Sequence, residues 1–479
     1  MIKTKLLYRL IIAFSFLLIA SQQSIAQFVL YGMTTLGGIS GDGTIFKCTP
    51  SGTFTTLVNF NDTNGAKPNG SLILAKDSNL YGMTTLGGTS GDGTIFKCTL
   101  SGSLTTLVSF DGANGHVPYG SLIQASDGNL YGMTSLGGTS DQGTLFKCTT
   151  SGTLTTLVNF SNTNGYSPHG SLIQARDSNL YGMTPGGGTS SDGTIFKCTL
   201  SGTLTTISNL DYTTGEEPWG SLVQASNGNL YGMTLMGGLS HTGAGTIFQC
   251  TTTGVVTVND FDISNGANPY GSLIQANDSN LYGMTLYGGT ADSGIIFRYT
   301  TTGVLTTLVN FTGVGGTDIG AFPTGSLIQA SDGNLYGITT GLNVGDTTGY
   351  ATIFKCSTSG GLTVLTKLYG DYNSVPNGCS LLAVPTAEMG IDNIKTASTV
   401  NVYPNPTNGN FTLSLSNVNA ACNVEIYNIL GENVYTETLP QSQSNNTINL
   451  TGQPNGVYFY RVLTESGGLV GSGKVIIQK

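Results

Sequence analysis

Charge is what this chain has least of. Of 479 residues, 17 are Lys or Arg and 26 are Asp or Glu, so only 9% are charged and the formal net charge is −9. So few cations leave no basic stripe to neutralise phosphates, and nucleic acid is not an expected partner. Histidine occurs three times and tryptophan once. No nucleophile elbow, zinc-ligand triad or phosphate-cradling loop is present, so no cofactor and no ready-made catalytic set is expected. Ser, Thr and Asn supply the polarity in place of Lys and Glu, a balance that argues against helices and for short strands.

Long apolar runs are also missing, with one exception. Lys3, Lys5 and Arg9 precede the 11 residues from Leu10 to Ala20, which are almost wholly apolar, and Ser24-Ile25-Ala26 follows. A charged start, a short apolar core and a small-residue cleavage site read as a secretory signal peptide over residues 1–26. A membrane anchor is the alternative, but the core is well short of the ~20 residues that a spanning helix needs. The mature protein is therefore expected to be exported and to carry no membrane span.

What the chain has in excess is glycine, 70 residues without a three-residue period, which points to many tight turns. It also has a repeat. Leu-Tyr-Gly recurs at Tyr31, Tyr81, Tyr131, Tyr181, Tyr231, Tyr282 and Tyr336, spaced by 50, then 51, then 54 residues. One unit contains four short strand signals, at Ser121–Ala125, Asn129–Thr134, Gly143–Thr149 and Leu154–Phe160. Asp127-Gly128 joins the first two as a two-residue hairpin, and Ser151-Gly152 joins the last two. Four strands per 40–50 residues is the signature of a propeller blade.

The first repeat lacks the first of these strands, and Gly378 to Val384 supplies a spare one at the other end. The expected fold is therefore all-β: a seven-bladed β-propeller over residues 27–385, closed by its C-terminal strand so that no edge is left unpaired. Cys48, Cys98, Cys148, Cys198, Cys250 and Cys356 recur at one place in the third strand. Facing sheets lie ~10 Å apart, beyond the ~7 Å between Cα atoms that a disulfide spans, so buried thiols are expected there. For Cys379 and Cys422 a bridge stays open.

After Val384 the composition shifts. Residues 386–397 read as a linker, and 398–479 as a small Ig-like β-sandwich with strands at 400–403, 411–415, 424–427, 457–462 and 474–478.

Two resemblances add to this reading. Gly137-Gly138, Gly143 to Phe146 and the run from Leu154 to Phe160 resemble the GloVer-type tandem repeat of exported bacterial proteins, over roughly residues 28–384. That family is defined by its repeat and implies no catalytic residues. In the tail, Tyr403-Pro404-Asn405-Pro406 with Gly409 and Phe411, Ile426 to Gly431, Gly456-Val457-Tyr458 and Lys474 to Ile477 resemble the C-terminal sorting domain of type IX secretion. The resemblance implies the type IX machinery as partner, and a destination outside a Gram-negative cell, either secreted or on the outer-membrane surface.

Strand alternation places the long second-to-third loops and the connections between repeats on one face, where scaffolds tend to carry function. His116, His169, His241 and Trp219 all fall there. Asp62, Asp111 and Asp262 begin loops that faintly echo calcium sites but lack the spaced carboxylates and closing Glu. Glu216, Glu217, Asp260 and Asp262 could serve a hydrolase or lyase, although Glu216 and Glu217 are adjacent in an exposed loop. The sharpest pattern is Pro-x-Gly before each first strand, with x being Asn69, Tyr119, His169, Trp219, Tyr270, Thr324 and Asn377. Fixed flanks around a variable, often aromatic residue fit a ring that binds a polysaccharide or matrix ligand. They equally fit an unconstrained, solvent-facing position.

Overall fold

The computed structural model describes residues 28–240, 242–313, 320–341, 351–368, 378–386, 399–416, 421–429, 431–440, 445–464 and 469–479. The expected signal peptide, most of the expected linker, His241 and Asn377 lie outside them. The chain divides into two compact units, Met1–Pro385 and Thr386–Lys479. Among the described residues every regular element is a strand, and no helix is long and apolar enough to cross a membrane.

The first unit is propeller-like, with seven four-stranded antiparallel sheets among its described residues. The strand missing from the first repeat is Leu382–Pro385, which pairs with Phe28–Thr34 in the register Phe28↔Pro385 to Tyr31↔Leu382. Alternation explains the Leu-Tyr-Gly-Met motif. Tyr81, Met83 and Ile95 of one sheet share a core with Leu122, Leu130, Phe146 and Cys148 of the next. Gly132 is needed because the Phe146 ring lies across it, 2.6 Å from where a Cβ would stand. The same packing joins Phe28, Leu30, Phe46 and Cys48 of the first sheet to Tyr336, Ile338 and Ile353 of the last.

Two local readings need correction. The first strand of the unit is Ile123–Gln124, two residues rather than five. Ser121 gives its N–H to Ser171 of the neighbouring sheet, and Ala125 gives its own to Asn129 across the turn, so neither extends the ladder. The turn itself runs over Ser126 to Gly128, closed by Ala125 N–H to Asn129 O and Gly128 N–H to Ala125 O, both 2.9 Å. Asp127 holds it by accepting from Asn129 N–H and from the Tyr131 hydroxyl, at 3.1 and 2.8 Å.

All eight cysteines are buried thiols, including Cys379 and Cys422, which lie in the cores of different units. Burial pushes the Cys148 and Cys198 thiols up to about 11, which keeps them protonated and unreactive at neutral pH.

The second unit has a three-stranded sheet (Thr399–Tyr403, Asn410–Ser416, Asn445–Asn449) and a four-stranded sheet (Asn433–Leu439, Cys422–Tyr427, Gly456–Thr464, Leu469–Ile477). Phe411, Leu413, Val424, Ile426, Ile448, Tyr458 and Val475 from both sheets form one core. The strands at 433–439 and 445–449 were not among those read from sequence, because their exposed faces are Asn- and Thr-rich.

Candidate functional site: the mouth of the central channel

The site is built where the connections between repeats turn into the innermost strands. The first five connections are each pinned to the next long loop by a bridge between two residues: Ala66↔Leu86, His116↔Leu136, Tyr166↔Gly186, Glu216↔Met236 and Ala267↔Tyr287. Among the described residues the one before each such Pro then adopts a left-handed conformation, seen at Val117, Ser167 and Glu217 with φ of 53°, 52° and 54°. That turn delivers Pro-x-Gly-Ser to the centre of the unit. The glycine is obligatory there: a Cβ at Gly120, Gly170 or Gly220 would stand 2.4, 2.1 and 2.2 Å from the carbonyl oxygen of the next repeat's glycine.

The x residues meet around a cavity of about 290 Å³. Asn69, Tyr119, His169, Trp219 and Tyr270 all line it. The four rings form a continuous arc. Tyr119 and His169 have ring centroids 4.8 Å apart, His169 stacks on Trp219 at 4.2 Å and 10°, and Trp219 meets Tyr270 at 4.8 Å. His169 and Trp219 thus each contact two neighbouring rings, which takes up their faces. Thr324 does not belong with these: it is 9% exposed and its hydroxyl accepts the Gly378 N–H at 3.0 Å. Asn377 is outside the described residues.

Burial sets the electrostatics of the arc. It pushes His169 down to about 4, so the imidazole is neutral at pH 7, and it raises the Tyr270 phenol, helped by the nearby Tyr119 and Glu217. His169 Nδ1 and Trp219 Nε1 are buried with no hydrogen-bond partner among the described residues. Such a group costs ~1–3 kcal/mol.

The remaining candidates are elsewhere. His116 Nε2 lies 3.4 Å from Asp92. Asp111 and Asp262 cap their own loops, accepting the N–H of Asn114 and of Asn265. Asp260 accepts the Ser240 N–H. Glu216 is raised by its burial and by Asp192 and Glu217, but neither Glu216 nor Glu217 lines the cavity.

Beside the x residues the cavity is lined by serines that the motif analysis passed over. Six of them directly follow a Pro-x-Gly, Ser380 comes one residue later, after Cys379, and each donates its N–H to the hydroxyl of its counterpart in the next repeat: Ser71 to Ser121, Ser121 to Ser171 and Ser171 to Ser221, all at 2.7 Å. The series continues through Ser272 and Ser326 to Ser380, which donates to Ser71 at 3.1 Å. Their recurrence in every repeat was the available signal.

A model of the Gloeobacter/Verrucomicrobia repeat matches residues 26–190 and 170–391. The chain belongs to that repeat family. As a Gloeobacter/Verrucomicrobia repeat protein it also carries a secretion system C-terminal sorting domain, matched over residues 401–478, which marks it as a secreted or cell-surface protein handled by type IX secretion. No curated protein matches it. Among solved structures, a putative 6-phosphogluconolactonase from Bacteroides uniformis is similar at 14% identity and a TM-score of 0.52, covering 75% of this repeat protein and 100% of its own chain. That likeness shows the fold alone. A PL25 ulvan lyase (10% identity, 88% and 92% covered, TM-score 0.33) and an N11 neuraminidase-like protein of A/flat-faced bat/Peru/033/2010 (11%, 72% and 93%, 0.32) are more distant, and likeness at that level carries no argument.

In the sorting domain, one motif residue ties its loop to the last strand. Asn405 bonds Lys474 O and Ile476 N–H, both at 2.9 Å, between the cis bonds preceding Pro404 and Pro406. Gly409 (φ 108°) abuts the Thr451 backbone, and Gly431 (φ 80°) closes a turn on Asn428. Phe411 and Tyr458 are buried in the core, Gly456 pairs with Ile477 and Lys474 with Phe459 across the last two strands, and Tyr403 is 50% exposed.

Proposed function

We propose that residues 27–385 are a seven-bladed propeller that binds a carbohydrate or matrix ligand at the mouth of its channel. Residues 386–397 then link it to an Ig-like sorting domain at 398–479. The seven serine bonds that run full circle support the ring.

One observation carries the binding reading: four rings from four successive repeats line one cavity with two buried polar edges unpaired. Neither edge atom reaches solvent, so a ligand hydroxyl satisfies them only by parting the rings. A hydrolase or lyase on the same scaffold would need carboxylates at the reacting bond. The cavity is lined instead by Asn, Gly, Ser, Tyr, His and Trp, which favours binding over catalysis. A glycan array probed with the mature protein tests the reading. Binding should appear and weaken at least ~10-fold in Trp219→Ala, the loss of one well-made polar contact with its packing. Unchanged binding by that variant would count against it.

The tail reading has a separate test. Deleting residues 398–479 should leave the propeller folded but retained in the periplasm of its Gram-negative host. Normal release of the truncated chain would contradict the sorting role.

A further inference from the structure

The ring of serines says what kind of group the mouth takes. Resting on the reading of that mouth as a ligand site, we infer that it receives the uncharged terminal residue of a neutral glycan, end-on, and that the serine hydroxyls hold it.

A serine hydroxyl has one proton and two lone pairs. Around the ring each of the seven hydroxyls accepts one backbone N–H, at 2.7 to 3.1 Å, and so uses one lone pair. None of these serines donates its hydroxyl proton to another described residue in those bonds. Each therefore keeps one proton and one lone pair for whatever fills the channel. Beside six of them stands a glycine whose Cβ would strike a backbone oxygen of the next repeat at 2.1 to 2.4 Å, so the ring is closely packed along those six steps. A closed circle of paired donors and acceptors matches a group that is itself donor and acceptor at each position, which is the chemistry of a sugar ring.

Charge and size narrow the choice. Among the described residues no Lys, Arg, Asp or Glu lines the cavity. An ion desolvated there would meet no counter-charge, a cost that a neutral polyol escapes. The chain's net charge of −9 adds a long-range penalty for anions. The volume of about 290 Å³ is at the lower end of the ~300–1,000 Å³ typical of small-molecule pockets, which suits a terminal residue better than a chain passing through.

Calorimetry with the mature protein tests this on matched pairs: galactobiose against digalacturonate, and cellotriose and mannotriose against their sulfated forms. The neutral member of each pair that binds should bind at least ~10-fold tighter. Ser221→Ala should weaken it about 5- to 10-fold, the worth of a hydrogen bond, with the melting temperature followed in parallel. Because Ser221 also accepts the Ser171 N–H, the variant is informative only if it stays folded. The neutral-to-charged ratio decides in either case. Tighter binding of the charged members, or unchanged affinity in a folded Ser221→Ala, overturns the inference while leaving the mouth as a ligand site. Binding by none of the saccharides, on this set and on the array, overturns both.

Discussion

His169 and Trp219 concentrate the residue-scale chemistry. A neutral imidazole lies flat on the only indole in the chain at 4.2 Å, and burial holds its pKa down at about 4. The sign of the pH effect follows. The unfolded chain binds a proton near pH 6.5 that the folded one refuses, so stability falls as pH drops from ~6.5 to ~4. Asp77 acts lower down. Its burial opposes ionisation, but hydrogen bonds from Lys97, Tyr81 and Asn79 outweigh that and bring it down to about 2. Its contribution is present above ~4 and fades as pH falls toward 2. A protonated imidazole quenches a stacked indole, so Trp219 emission should stay flat from pH 8 to about 5 and drop with a midpoint near 4. A midpoint near 6.5 would place His169 in water. The position of these two residues was legible because the repeat holds Pro and Gly constant and isolates x. Their mutual stacking was not, since it depends on how close successive repeats come at the axis.

At the scale of elements, the innermost strand is the informative one. The second and third strands could be read from alternation alone. The first was placed but read too long, because the Ser121 N–H bonds to the next sheet rather than to its own, and pairing within a repeat gives no hint of that. The polar strands at 433–439 and 445–449 were missed for a related reason: with one exposed face of Asn, Thr and Glu they resemble loop. Two glycines separate the forces at work here. Gly128 has φ 84° and open space around it, so Gly128→Ala meets only backbone strain, about 1–2 kcal/mol. Gly170 has no such φ but would drive a Cβ to 2.1 Å from Gly220 O, so Gly170→Ala must spread the ring. Urea unfolding should show Gly170→Ala as the more damaging change, at about 3 kcal/mol. Equal effects would mean that the inner contacts are slack.

The whole molecule turns a repeat into a single site by closing it. The first repeat borrows Leu382–Pro385, Ser380 returns to Ser71, and the first and last sheets share a core. The borrowed strand was legible as a missing element at one end and a spare one at the other. The serine circle was not, because an invariant small polar residue beside glycine looks like turn chemistry until its partner in the next repeat is known. Closure also brings the repeats together at one cavity, where five of the seven variable residues, Asn69, Tyr119, His169, Trp219 and Tyr270, sit. The single tryptophan makes the central claim open to one direct measurement. In a ¹⁵N–¹H spectrum of the mature protein, Trp219 contributes the only indole N–H signal. Adding a glycan selected on the array should shift that signal in step with the calorimetric binding curve, as the unpaired Nε1 gains a partner. Saturating binding that leaves the indole signal where it was would contradict a ligand site at the channel mouth.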